Sequence, residues 1–485
     1  MNKYGDYTVT IGIECHVQLK TKTKLFSGAD NDARGKDPNT TVSPLCFGLP
    51  GTLPVLNAEA VQLAIRAGLA LNSEIAPLSR FERKHYFYPD LPLGYQITQL
   101  AEPVIGAGHV VCTLPDGSEK TVRIHHAHLE ADAGKLTHPS GKDYSLVDFN
   151  RAGTPLIEIV SEPDMHSPAE AKAFAQELYL LMTYADVTDG DLYHGNMRFD
   201  INVSVSKTDE LGTRTETKNL NSFKSVEKAA EFEIHRQIAI LDKGGEIVQE
   251  TRGWDEAKQR TVSQRSKENA HDYRYFPDAD LPPVRISDED TTAVKDAFPK
   301  MPGHYRKSWS QLKLDYTVQI ALLASRQTAE LIERLLEKYG EATARRVALW
   351  FAMAVKDEIY KDSAANENNN PISDDYFERF ATLSKMVDAN ELNSTAAKEI
   401  FVDLLKTSKD PRVIAQEKNL LQVSDEGEIA AIVDEVMNAA ENQQSIDDIR
   451  GGNERAIGFL VGQVMKRSQG KANPSLAQQL IRKRL

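Results

Sequence analysis

Four short runs of this 485-residue chain place acids and imidazoles where a solvated strand would carry threonine, lysine or serine. Residues two apart on a strand project from the same side. Glu14 and His16 stand so in IGIECHVQL, His128, Glu130 and Asp132 in HAHLEADAG, and Arg198, Asp200 and Asn202 in MRFDINVS. Glu158 in PLIEIV is the odd one, because its face-mates are Leu156 and Val160. It is either a stray edge residue or a buried carboxylate with a function. Gathered carboxylates with one or two further oxygen donors suit a hard divalent ion, and Mg²⁺ in turn brings nucleotide phosphates. Imidazole prefers softer metals, so His16 fits better behind the ligands or on Mn²⁺. Lys84 in ERKHYFYPD, Arg151 in FNRAGTP and Lys218 in TETKNLNS offer positive charge to a transferring phosphoryl group. The aromatic runs His85-Tyr86-Phe87-Tyr88 and Tyr273-Arg274-Tyr275-Phe276 can stack bases, but each alone reads first as core packing.

Strands and a few helices must position these groups. Ile11, Ile13, Cys15, Val17 and Leu19 alternate with polar residues, as do Met197, Phe199, Ile201, Val203 and Val205, which predicts two half-buried strands. Leu56, Ala60, Leu63, Ala67 and Leu71 mark a helix. A second begins at Ser167, where Ser-Pro-Ala-Glu combines a capping box with proline at the first helical position. A third runs from Val226 to Leu241 and stops at Gly244-Gly245. The Pro282-Pro283 segment closes this mixed half. Helices are then expected near 316–338, 341–360, 374–388, 394–407, 427–441, 454–467 and 474–484, with a loop at Asn366–Asn370 and a second candidate break at Ser408–Arg412. The division predicted is a domain over 1–294, a helical domain over 295–407 and a tail over 408–485. The fold class expected is α+β.

Composition narrows the function. No run of eighteen apolar residues occurs and the start lacks a basic end leading into an apolar core, so the chain reads as cytoplasmic, uncleaved and independent of membranes. Three scattered cysteines, Cys15, Cys46 and Cys112, build neither a disulfide framework nor a cysteine zinc site. The net charge of −13 argues against a whole-surface nucleic-acid binder. Residues Arg455–Leu485 nevertheless hold seven Lys/Arg and no Asp/Glu, which suggests a basic docking end on an acidic body. Gly-x-x-x-x-Gly-Lys-Ser/Thr and His-Glu-x-x-His are both missing, and Gly106-Ala-Gly108 lacks the third glycine of a dinucleotide turn. ATP, if used, is held by a less common architecture.

At the same segments the chain resembles the B-subunit family of glutamine-dependent aspartyl/glutamyl-tRNA amidotransferases. IGIECHVQL, FERKHYFYPDLPLGYQITQ, HLEADAGKLTH, YSLVDFNRAGTPLIEIVSEPD, GNMRFDINVSV, GTRTETKNLNSFKSVEKA, QETRGWDEAKQRTVSQRSKE and DYRYFPDADLPPV follow in family order. GFLVGQVMKRSQGKANPSLAQQLI resembles the family's tail. The resemblance implies a mixed-sheet, kinase-like cradle domain, a helical domain and a small helical tail that touches tRNA. It implies a heterotrimer with an amidase A subunit and a small C subunit, and the use of ATP and Mg²⁺ to phosphorylate the side-chain carboxylate of Glu on tRNA(Gln) or Asp on tRNA(Asn). Ammonia from the A subunit then displaces the phosphate.

Carried over residue by residue, the resemblance implies Glu14, His16, Glu130 and Asp200 around the metal and Glu158, Lys84 and Lys218 nearby, the lysines as phosphate contacts. The basic tail residues Lys466, Arg467, Lys471, Arg482, Lys483 and Arg484 are the expected tRNA contacts. Two departures stand out. Many members hold zinc with cysteines before the PGxLP turn, whereas KLFSGADNDARGKDPNTTVSPLCFGLPG keeps only Cys46, so no zinc is expected. Many members also have two adjacent acids in the HLE segment, whereas Ala131 follows Glu130 here and leaves Asp132 as the other acid. A non-catalytic tRNA-binding scaffold is the competing interpretation, and a metal hydrolase without ATP is disfavoured by the lack of His-rich ligand spacing.

Overall fold

The computed structural model describes residues 4–266, 273–356, 374–422, 426–468 and 470–485. They belong to two compact units, residues 1–304 and 305–485. In the first, period-two alternation drives the strands and 3–4 spacing the helices. In chain order the elements used below are β1 (Thr8–Gln18), α1 (Ala58–Ala70), β2 (Glu82–His85), β3 (Tyr95–Thr98), β4 (Gly108–Thr113), β5 (Glu119–Ala131), β6 (Pro155–Ser161), α2 (Pro168–Tyr184), β7 (Met197–Ser206), β8 (Thr215–Leu220), α3 (Phe223–Leu241), β9 (Glu250–Asp255), β10 (Arg260–Ser266) and α4 (Asp288–Asp296).

Eight strands form one sheet in the order β10-β9-β8-β7-β1-β6-β5-β4. Neighbours are antiparallel except β8 and β9, so the sheet is mixed. One face is apolar. Ile11, Ile13, Cys15 and Val17 of β1 and Phe199, Ile201 and Val203 of β7 share a core with Phe174 and Leu178 of α2 and Val226, Ala230 and Ile234 of α3. Because β1 and β7 bury every second residue against helices, their remaining side chains are all delivered to the opposite face. The helices start where expected. Asn57 accepts the Glu59 N–H at α1, and Ser167 accepts the Glu170 N–H at α2, with Pro168 in first position. Val294 of α4 and the half-buried Phe298 and Met301 join this same core, so the first unit runs past residue 294 to His304.

The second unit is helical among its described residues. After α5 (Pro302–Ser308), which spans the division, come α6 (Tyr316–Leu323), α7 (Arg326–Lys356), α8 (Asp374–Asp388), α9 (Ser394–Leu404), α10 (Pro411–Glu417), α11 (Glu426–Asn438), α12 (Gln443–Arg450), α13 (Ile457–Arg467) and α14 (Pro474–Arg484). The single helix expected over 316–338 is instead broken at Ala324–Ser325, where the Ser325 hydroxyl accepts the Thr328 N–H and starts a new one. Gly340, at φ +77°, interrupts α7 where the break between 338 and 341 was expected. The end of the helix expected to reach 360 and the Asn366–Asn370 loop lie outside the described residues. The break at Ser408–Arg412 leads into α10, an unanticipated short helix capped by Asp410 with Pro411 at its start. Ile429, Val433, Leu460, Val464, Ala477 and Ile481 give the tail a core of its own. No helix among the described residues is long and apolar enough to cross a membrane.

Candidate functional site on the polar sheet face

Strand register decides which of the polar residues meet. On β1, Glu14 lies opposite Asp200 of β7, and His16 lies between Arg198 of β7 and Glu158 of β6. Glu158 in turn faces His128 of β5, two residues from Glu130, while Asn202 faces Glu216 of β8. A band of charge therefore crosses five neighbouring strands. Glu158 is no stray edge residue, since β6 is hydrogen-bonded on both sides.

Two clusters result. In the first, His16 Nε2 lies 3.6 Å from Glu158 Oε2 and 3.8 Å from Glu130 Oε1, and His128 Nε2 lies 3.4 Å and 3.6 Å from the same two carboxylates. The Thr98 hydroxyl of β3 donates to Glu130 at 3.3 Å. The second comprises Glu14, Asp200 and Glu216. Lys218 Nζ bonds Asp200 at 3.0 Å and Glu216 at 3.1 Å. Asn202 donates to Glu14 and Thr251 to Glu216, each at 2.9 Å, and the Asn219 amide N–H donates to Asp200. Glu130 and Asp200 are 4% exposed and Glu216 5%, so these are carboxylates withdrawn from water and compensated by protein donors.

Their electrostatics are interlocked. Burial alone would make His16 less basic, but Glu158 and Glu130 raise it to about 9. His128 likewise rises to about 9 against its burial, through hydrogen bonds and charge from Glu130 and Glu158. Glu158 responds in the opposite direction: burial opposes its ionisation, yet the two imidazoles hold it well below the usual carboxylate range. Glu14 is pushed up by burial first, then by Glu158 and Glu216. Lys218 is held strongly cationic against its burial by Asp200, Glu216 and Glu14.

The ligand atoms of His16, Glu130 and Glu158 lie within 4.8 Å of one another, and so do those of Glu14, Asp200 and Glu216. Both sets fit a divalent cation: they are carboxylate-rich, buried or half-buried, and already draw in a stand-in charge, His128 at the first and Lys218 at the second. The four residues expected around one metal thus divide, His16 and Glu130 to one cluster and Glu14 and Asp200 to the other. Glu158 and Lys218 sit inside these clusters rather than beside them. Glu216 was not singled out by the sequence, although its position two residues before Lys218 on a strand carried the signal.

Lys84 stands at the margin. Its ammonium lies 4.8 Å over the Tyr273 ring and is held cationic against burial by Tyr275, Glu130 and Glu158. A recess of about 340 Å³ opens beside it, lined by Tyr86, Phe87, Tyr88, Asp90 and Tyr273. The core-packing expectation for the first aromatic run fails here, for Phe87 is 87% exposed and Tyr88 51%. Asp132, the remaining acid after Ala131, is taken by guanidinium groups: Arg198 donates to it at 3.0 Å and Arg151 Nε lies at 3.3 Å. Near the lone Cys46, the wholly buried Lys24 donates to the Ala152 carbonyl at 2.7 Å and lies 3.5 Å from Sγ. In the second unit, Arg467, Arg482 and Arg484 pair with Glu441, Glu454 and Asp434.

The fold and site define an α+β protein with one helix-covered and one acid-lined sheet face, continued by a helical unit. Residues 9–292 match the GatB/GatE catalytic domain and residues 330–485 the GatB domain. The chain is 45% identical over 483 residues to the B subunit of the aspartyl/glutamyl-tRNA(Asn/Gln) amidotransferase of Caldanaerobacter subterraneus subsp. tengcongensis, covering 99% of each. It is 46% identical over 487 residues to that of Alcanivorax borkumensis, again 99% of each. With that of Persephonella marina it shares 43% over 484 residues, 99% of this chain and 100% of the relative. The chain belongs to the family of amidotransferase B subunits that carry the GatB/GatE catalytic domain.

Proposed function

We propose that this chain is the carboxylate-activating subunit of a tRNA-dependent amidotransferase, using ATP and Mg²⁺ to convert the side-chain carboxylate of Glu-tRNA(Gln), Asp-tRNA(Asn) or both into an acyl phosphate that ammonia then displaces. Family membership supports the amidotransferase role. The observation that carries the ATP-dependent step is the pair of three-residue clusters set side by side on one sheet face.

The chemistry follows from what those groups can do. A carboxylate is a poor electrophile because its oxygen leaves badly, whereas an acyl phosphate carries a good leaving group. Divalent cations supply charge neutralisation to phosphate oxygens when bound. His16, Glu130 and Glu158 would hold one such ion and Glu14, Asp200 and Glu216 another. Lys218, bonded to two acids of the second set, would be released toward phosphate as its partners take up a metal. Lys84 faces Glu130 and Glu158 from the recess side and is placed to draw a substrate carboxylate or phosphate toward the first set. Enclosure of the acids limits water, which would hydrolyse the acyl phosphate.

A non-catalytic scaffold gains nothing from this arrangement. Gathering carboxylates out of water is costly, and apolar residues of similar volume would hold the sheet as well. The partners proposed are an amidase A subunit, a small C subunit and misacylated tRNA, with Lys466, Arg467, Lys471, Arg482, Lys483 and Arg484 as backbone contacts and the cytoplasm as the compartment. The test is amide formation on Glu-tRNA(Gln) and on Asp-tRNA(Asn) by the assembled complex. It should proceed with ATP and fail without it, and ATP-independent amidation would refute the activation step.

A further inference from the structure

Strand β5 carries a histidine series that the proposed chemistry does not use. Its register against β6 shifts between Ile124, opposite Ser161, and His126, opposite Val160. This bulge leaves His125 without a strand partner of its own and re-aims the neighbouring side chains. On a regular strand His125 and His126 would face opposite sides. Here their Nδ1 atoms lie 2.7 Å apart with the rings at 75°. His126 Nε2 then meets His128 Nδ1 at 3.1 Å, the two rings 16° from parallel. The series runs from exposed His125 through half-buried His126 to buried His128.

We propose that His126 is a positioning residue for the first cluster: by engaging Nδ1 of His128 it turns His128 Nε2 onto Glu130 and Glu158 and presets that carboxylate pair for a divalent cation. The inference rests on the metal assignment proposed above. Its physical basis is torsional. The outer torsion of a histidine is broad and nearly two-fold, so burial alone does not decide which ring edge faces the acids. A hydrogen bond at one nitrogen fixes the other, as partners of metal-binding histidines commonly do. With Nδ1 engaged by His126, Nε2 bridges Glu158 at 3.4 Å and Glu130 at 3.6 Å and keeps the two repelling carboxylates aimed at the point His16 also faces.

Histidine-selective ¹⁵N labelling of the full-length, metal-free chain reports the ring edges, and calorimetric Mn²⁺ titration reports the cluster. In the unmodified chain His128 should show one ring orientation with Nε2 hydrogen-bonded. His126→Leu should lose that signature and bind Mn²⁺ about 10-fold more weakly. His126→Gln, which keeps a hydrogen-bonding group near the Nε2 position, should restore both. An unchanged His128 signature together with unchanged Mn²⁺ affinity in His126→Leu overturns the positioning role. A Glu158→Gln chain that keeps its Mn²⁺ affinity overturns the metal assignment and with it the presetting, even where the ring signature responds.

Discussion

The acid-lined sheet face and the basic tail handle charge in opposite ways. On the sheet, carboxylates, imidazoles and Lys218 are buried or half-buried and mutually bonded, so that removing one leaves its partner uncompensated in a poorly solvated place. In the tail, Arg482 and Glu454 are 48% and 71% exposed and pair across the surface, where water screens the attraction. Fixed, buried charge suits chemistry that demands geometry. Loose surface charge suits binding, because an arginine can trade a carboxylate for a phosphate at little cost.

The sharpest way to break this contrast is Glu130→Gln. In the assembled complex it should bind tRNA normally yet lose acyl-phosphate formation by more than about 100-fold, since disturbing even an outer partner of a metal costs 10–100-fold. Turnover at the unmodified rate would return the sheet to a structural role. Glu216→Gln should fall in the same class, by about 100-fold in the same assay. If only stability changes, the second cluster is structural.

Next in size is a pH effect on the metal-free chain. His16 and His128 stand near 9 in the folded state, above the ordinary value of 6.5. Protonation therefore favours folding: the contribution is fully present below pH 6.5 and is lost as pH rises through about 9. Denaturant titrations across that window should show a fall on the order of a few kcal/mol, flattened in a His16→Asn, His128→Asn double variant. A flat profile in the unmodified chain would show that the imidazoles are not locked to the acids. On the acid side Glu158, held well below its ordinary value of 4.5, contributes stability that is lost as pH falls below 4.5.

The tail should respond more gently. Charge reversal at Arg482, Lys483 and Arg484 should weaken tRNA binding and lower the salt slope by about 0.7–0.9 for each phosphate no longer neutralised. An unchanged slope would make the cluster a solvated surface. The smallest effect expected is on stability: Arg482→Ala should leave the denaturant midpoint of unfolding almost unchanged, and a clear drop would show the pair to be structural.

Much of the site was legible because the strands that carry it alternate cleanly. Ile11 to Leu19 and Met197 to Val205 announce their faces, which exposes Glu14, His16 and Asp200 as residues on the opposite side. Glu216 was hidden because TETKNL buries threonines, Thr215 and Thr217, where apolar residues would have signalled a strand. The split into two clusters was not readable, since it depends on which strands lie beside β1 and in what register, and no local period encodes that. Arg455–Leu485 looked uniformly basic, yet Arg467, Arg482 and Arg484 find Glu441, Glu454 and Asp434 just upstream. The break at Ser325 was missed because a hydroxyl inside an apolar period can cap a new helix without disturbing the pattern.

If one sheet face holds divalent cations at two distinct carboxylate clusters, Mn²⁺ stoichiometry in the unmodified chain and in two variants reveals it most directly. Two bound ions are predicted, one of them lost in Glu158→Gln and the other in Asp200→Asn. A chain that binds none, or two variants that each keep both ions, would contradict it.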